Sequence, residues 1–104
     1  YPGLASDPGY ELAQRQNPVG VGGVLSFQVA TEEAAIELTT RTRIFALAAS
    51  LGAPESLIEH PAIMTHSTRV SGVGGVPGTL LRLAVGLEDA QDLIVDLEQA
   101  LAQI

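Results

Sequence analysis

Thr79-Leu80-Leu81-Arg82-Leu83-Ala84-Val85-Gly86-Leu87 alternates at period two, with Leu81, Leu83 and Val85 on one face and Leu80, Arg82 and Ala84 on the other. It reads as a strand. The next segment, Glu88 to Gln103, changes period: Leu93, Ile94, Leu97, Leu101 and Ile104 recur at helical spacing, with acids near the start where the helix dipole favours them. A strand feeding a helix therefore closes the chain, and one residue in it is out of place. Arg82 puts a guanidinium into an apolar strand.

Upstream of this pair, Ser71 to Gly78 is rich in Gly and Val, contains Pro77, and has no usable period, so it reads as a loop. Leu57-Ile58 reads as a short strand stopped by His60-Pro61. Ile44 to Ala49 is an apolar run that suits a covered strand delivering Ser50 to its edge. Thr31 caps a predicted helix with Glu32 and Glu33 in its first turn and Arg41 and Arg43 in its last, both signs correct for the macrodipole. In Val24 to Val29, Leu25, Phe27 and Val29 alternate with Ser26, Gln28 and Ala30, the pattern of a half-buried strand. Asp7-Pro8 reads as an N-cap with proline at the first helical position, opening a short helix that runs to about Gln16. The order helix, strand, helix, three strands, helix makes this an α+β chain.

The 104 residues fit one domain, 46% hydrophobic against 16% charged, which is too apolar for a disordered segment. No stretch approaches the roughly 20 apolar residues of a membrane-spanning helix, and the first residues lack the layout of a signal peptide, so a soluble, cytoplasmic protein is expected. A formal charge of −7 repels nucleic acid and anionic membrane surfaces. Cysteine is absent, which removes disulfides, thiolate nucleophiles and cysteine-type zinc sites. All five basic residues are Arg, so no side-chain amine can form a Schiff base. Met64 is the only methionine, and the chain is expected to be the tail of something longer.

Candidate chemistry is sparse. Arg82 needs a partner to offset its desolvation, and its planar fork matches a carboxylate in two parallel hydrogen bonds; the competing reading is an edge-strand Arg that snorkels to water. His60 and His66 stand six apart beside Glu59, a spacing that brings them together neither on a helix nor on a strand, so no metal site is expected. Gly20-Val21-Gly22-Gly23 and Gly72-Val73-Gly74-Gly75 complete no phosphate-loop motif and read as turns. Glu88, Asp89, Asp92, Asp96 and Glu98 read as the solvated face of the last helix. Ser50 has no base near it in a recognisable arrangement and reads as a binding hydroxyl or strand-end cap.

Several stretches together resemble the C-terminal domain of the Cys/Met-metabolism family of pyridoxal-phosphate (PLP) enzymes, the group of cystathionine γ-lyase, γ-synthase and β-lyase and methionine γ-lyase. They are Tyr1-Pro2-Gly3-Leu4, Glu11 to Gln16, Gly22 to Phe27, Ser50-Leu51-Gly52 with Glu55 to Ile58, His60 to Ser67, Leu81 to Asp89, and Asp92 to Leu97. The resemblance implies the small C-terminal domain of a fold-type-I enzyme, residues 1–104, with a mostly antiparallel sheet of about four strands covered by helices. It also implies a PLP-binding large domain that these residues do not include.

The family's substrate-carboxylate arginine falls on Arg82, its strand-end serine on Ser50, and a position near the substrate's side-chain end on Thr65. The implied function is transsulfuration of cystathionine or a related sulfur amino acid, by β- or γ-elimination or by γ-replacement. PLP would serve the full-length enzyme. These residues would hold no catalytic group and be inactive alone, because the Schiff-base lysine lies in the large domain. The implied partners are the sulfur amino acid, the chain's own N-terminal domain and further copies in a tetramer. Ala49 stands where the γ-cystathionine enzymes commonly carry Glu, and the Ser67–Thr79 loop looks shorter and richer in Gly than is usual, so the reaction subtype stays open. A non-catalytic binding or assembly module derived from the same domain is the alternative.

Overall fold

The computed structural model describes residues 1–65 and 75–104, and the readings placed on His66, Arg69 and residues 71–74 lie outside the described residues. The elements in chain order are α1 (Tyr10–Gln16), β1 (Val24–Gln28), α2 (Glu32–Arg41), β2 (Ala46–Leu47), β3 (Leu57–Glu59), α3 (Pro61–Met64), β4 (Leu80–Ala84) and α4 (Ala90–Leu101). The four strands form one sheet in the order β1-β4-β3-β2. β4 runs antiparallel to both β1 and β3, while β2 runs parallel to β3, so the sheet is mixed, with two antiparallel ladders and one parallel.

Register explains the layering. Leu25, Leu83 and Ile58 form one cross-strand row, and Phe27 and Leu81 pair beside them on the same face. These side chains pack with Ala35 and Leu38 of α2, Phe45, and Leu93, Leu97 and Ala100 of α4. Leu38, Ile58 and Leu81 are completely buried, and each such side chain stabilises the fold by about 1.5–3 kcal/mol relative to exposure. The other face carries Ser26, Arg82 and Glu59 in one row, the alternation read from the sequence around Arg82.

Local chemistry sets the element ends. Thr31 Oγ1 accepts from the Ala34 amide at 3.1 Å, the expected cap of α2. That helix ends at Arg41, so Arg43 lies beyond its last turn. α1 starts later than expected: the Asp7 carboxylate turns back onto the Gly9 amide at 2.8 Å, Gly9 takes the N-cap position, and Pro8 stays outside the helix.

Two further differences concern the middle of the chain. His60-Pro61 ends β3 but also opens α3, because proline suits a first helical turn whose amides need no partner. The apolar run Ile44–Ala49 gives only the two-residue β2 at the sheet edge, with Ala46 and Leu47 exposed. Hydrophobicity marked it as covered, whereas Leu47 is 51% exposed and lines an open groove with Ile36 of α2 and Ile63 of α3.

Candidate functional site

Arg82 occupies the middle of the central strand β4, with Ser26 of β1 opposite it on one side and Glu59 of β3 on the other. Its Nη2 lies 2.5 Å from Glu59 Oε2 and donates to the Ser50 carbonyl at 3.0 Å. The Arg82 side chain keeps 26% of its surface exposed, whereas that of Glu59 keeps 1%. The contact is a close ion pair without hydrogen-bond alignment: among the described residues neither Glu59 oxygen has a hydrogen-bond partner, and Arg82 Nε is buried without one. The guanidinium therefore uses one nitrogen on two protein groups. Of its other nitrogens, Nε is enclosed and Nη1 makes no hydrogen bond among the described residues.

Ser50 meets Arg82 through its backbone. Residues 48–56 connect the parallel strands β2 and β3, and the contact with Arg82 requires this connection to return toward the sheet face that carries Arg82. A clamp fixes the far end of the loop. Glu88 accepts from the Ser56 amide at 2.8 Å and from its hydroxyl at 2.7 Å, while Ser56 Oγ accepts from the Gly86 amide at 2.8 Å and Leu87 donates to the Pro54 carbonyl at 2.7 Å. The hydrogen bonds from the Ser56 amide and hydroxyl hold the Glu88 carboxyl below the usual range. Gly86 is required here by space, since a Cβ would lie 2.7 Å from the Ser56 nitrogen and closer still to the Pro54–Glu55 backbone.

Thr65 closes α3 with its hydroxyl 3.4 Å from the Pro61 carbonyl, and it is not among the contacts of Arg82. His60 is buried, its Nε2 2.6 Å from the Gly78 carbonyl and its Nδ1 without a partner among the described residues. Ser50 and Arg82 are thus brought together, while Thr65 shares no hydrogen bond or ion pair with either.

Three acids depart from the sequence reading. Glu59, considered there only beside the histidines, is the partner of Arg82; period two in Leu57-Ile58-Glu59 was the signal that could have placed it on the arginine's face. Glu88 belongs to the clamp. Asp96 is 3% exposed and receives the amides of Arg43, Ile44 and Phe45 at 2.7, 2.8 and 3.1 Å, so it is a buried anchor and no part of a solvated face. Burial alone would raise its carboxyl, but the amides of Ile44, Arg43 and Phe45 with the Gln99 side chain outweigh it and hold the group below its ordinary value.

An arginine with a nitrogen to spare, set among groups that fix it, has the charge and hydrogen-bonding capacity to bind a carboxylate. Cystathionine gamma-synthase of Mycobacterium bovis is 53% identical over 102 residues, covering 97% of this chain and 26% of that protein. Cystathionine gamma-lyase of Bacillus subtilis is 44% identical over 108 residues, covering 100% of this chain and 28% of that protein. Of solved structures, MetB of Corynebacterium glutamicum matches with a TM-score of 0.91 at 46% identity, over 99% of this chain and 27% of that one. A putative O-acetylhomoserine (thiol)-lyase of Campylobacter jejuni, solved with N'-pyridoxyl-lysine-5'-monophosphate, matches with a TM-score of 0.88 at 38% identity, over 98% of this chain and 25% of that one. The chain spans about a quarter of the length of the curated relatives it matches. The family model for Cys/Met metabolism PLP-dependent enzymes covers residues 1–102, and the chain belongs to that family.

Proposed function

We propose that the chain is the C-terminal, substrate-carboxylate-binding domain of a transsulfuration enzyme acting on cystathionine or a related sulfur amino acid, by elimination or by γ-replacement. The observation that carries this reading is Arg82: a partly exposed guanidinium held through Nη2 by Glu59 and the Ser50 carbonyl, with Nη1 in no hydrogen bond among the described residues. Gripping the α-carboxylate fixes the orientation of the bonds at the neighbouring carbon, which is where the positioning of a substrate lowers a barrier most. Ser50 lines the same place, and Thr65 is assigned to the side-chain end of the substrate.

The residues present do not fit the cofactor itself. The chain has no Lys to hold it covalently, so its attachment belongs to a preceding large domain. When bound there, PLP supplies the electron sink for the reaction. The reading also includes assembly with that domain and with further copies, and residence in the cytoplasm; no helix among the described residues is long and apolar enough to cross a membrane.

The test is Arg82→Leu in the protein that carries the preceding domain. Loss of the charge-assisted contact should lower kcat/KM on the order of 100-fold with cofactor binding unchanged. Arg82→Lys should recover only part, because an ammonium lacks the fork. An unchanged kcat/KM for Arg82→Leu would reject the assignment.

A further inference from the structure

A carboxylate with 1% of its surface exposed is expensive to keep charged, and the described residues give Glu59 only one compensating group, Arg82. Arg82 is not symmetric in this respect, because Nη2 also reaches the Ser50 carbonyl. The two side chains are direct cross-strand neighbours on one face, where opposed Cβ atoms stand about 5 Å apart. Glutamate has the length to meet the outer nitrogen of an arginine from that distance. Aspartate, shorter by about 1.5 Å, does not.

We propose that Glu59 is a positioning residue for substrate binding: by engaging Nη2 from the neighbouring strand it fixes the guanidinium in the orientation that turns Nη1 toward the substrate's carboxylate. The inference rests on the reading of Arg82 as the carboxylate receptor. It adds that reach at position 59, more than charge, sets the strength of the grip. The charge has a competing effect, since a carboxylate at Arg82 also feels repulsion from Glu59. An uncharged side chain of equal length therefore keeps the orientation and loses the repulsion, whereas a shorter charged one does the reverse.

The experiment compares Glu59→Asp, Glu59→Gln and Arg82→Leu in the protein with its preceding domain, measuring kcat and KM for the amino acid and for the same compound with its α-carboxylate converted to a carboxamide. Glu59→Asp is expected to raise KM for the amino acid about tenfold as the guanidinium loses its close ion-pair contact, with kcat little changed. Glu59→Gln is expected to keep KM at or below the parent's value. Neither should alter KM for the carboxamide, which a merely structural defect would affect equally. A Glu59→Asp enzyme with the parent's KM, or a Glu59→Gln enzyme impaired as much as Glu59→Asp, overturns the proposal while a loss in Arg82→Leu still upholds the receptor. An Arg82→Leu enzyme with unchanged KM overturns the receptor itself. Should Glu59→Asp fail to fold, Glu59→Leu replaces it, lacking both reach and charge: a raised KM upholds the proposal and an unchanged one overturns it.

Discussion

Asp96 shows how much one side chain can organise. Its carboxylate gathers three successive backbone amides, those of Arg43, Ile44 and Phe45, where the chain leaves α2 and turns toward β2. Without it those donors lose their acceptor, and Asp96→Ala should destabilise the fold by about 3 kcal/mol, measured by urea denaturation near neutral pH. Asp96→Asn should recover part of this, because one amide oxygen still accepts while the NH2 group opposes backbone donors. The pH dependence follows from the direction of the shift. The folded-state value lies below the ordinary one, so the unfolded chain takes up the proton first; the stabilisation is present above the usual aspartate range and is lost as pH falls below about 4 through the folded-state value. Unfolding midpoints between neutral pH and about pH 3 should fall for the parent and flatten for Asp96→Asn. Equal slopes would mean that Asp96 does not carry the acid sensitivity.

Among the elements, β4 and the turn after it do most of the positioning. Gly86 lets the chain pass against Pro54–Ser56, and the Ser56–Glu88 clamp then holds the loop that presents Ser50 to Arg82. Gly86→Ala should push this loop away at a cost of about 1–3 kcal/mol, and in the protein with its preceding domain it should raise KM through the displaced Ser50 carbonyl. Loss of stability with KM unchanged would separate the clamp from the site. The alternation about Arg82 and the period of α4 were legible in the sequence because each element buries one face, and burial writes itself into spacing. β2 was not, because an apolar run says that something covers it and cannot say whether that is its own chain. Asp96 and Glu88 escaped for a related reason. Acids at helical spacing look solvated until the backbone amides they receive, from residues more than 30 positions away in sequence, are placed. Arg82 was found because an isolated charge in an apolar strand demands explanation, and the same demand pointed to an acid that was not sought at Glu59.

At the scale of the molecule, the apolar surface left open bears on how the chain is assembled. A groove of about 230 Å³ between the sheet and α4 is lined by Leu25, Phe45, Leu83, Val85, Leu93 and Leu97 among others, and Val85 and Ile94 on its walls are 41% and 48% exposed. Leu87 is 86% and Leu51 57% exposed, both in the loops that meet at the clamp. Single exposed leucines are ordinary on a protein surface, but an apolar groove together with bare loop leucines is surface of the kind that partners cover. With relatives about four times as long, the proposed preceding domain and neighbouring copies are the natural cover. Residues 1–104 produced alone should therefore self-associate, with a mass by light scattering that rises with concentration. Leu87→Glu with Leu51→Glu should lower that tendency without changing the core, since neither side chain belongs to the buried cluster. A monodisperse monomer at millimolar concentration would show that this surface is adequately solvated by itself, and would remove the apolar argument for a covering domain while leaving the Arg82 assignment to stand on its own contacts.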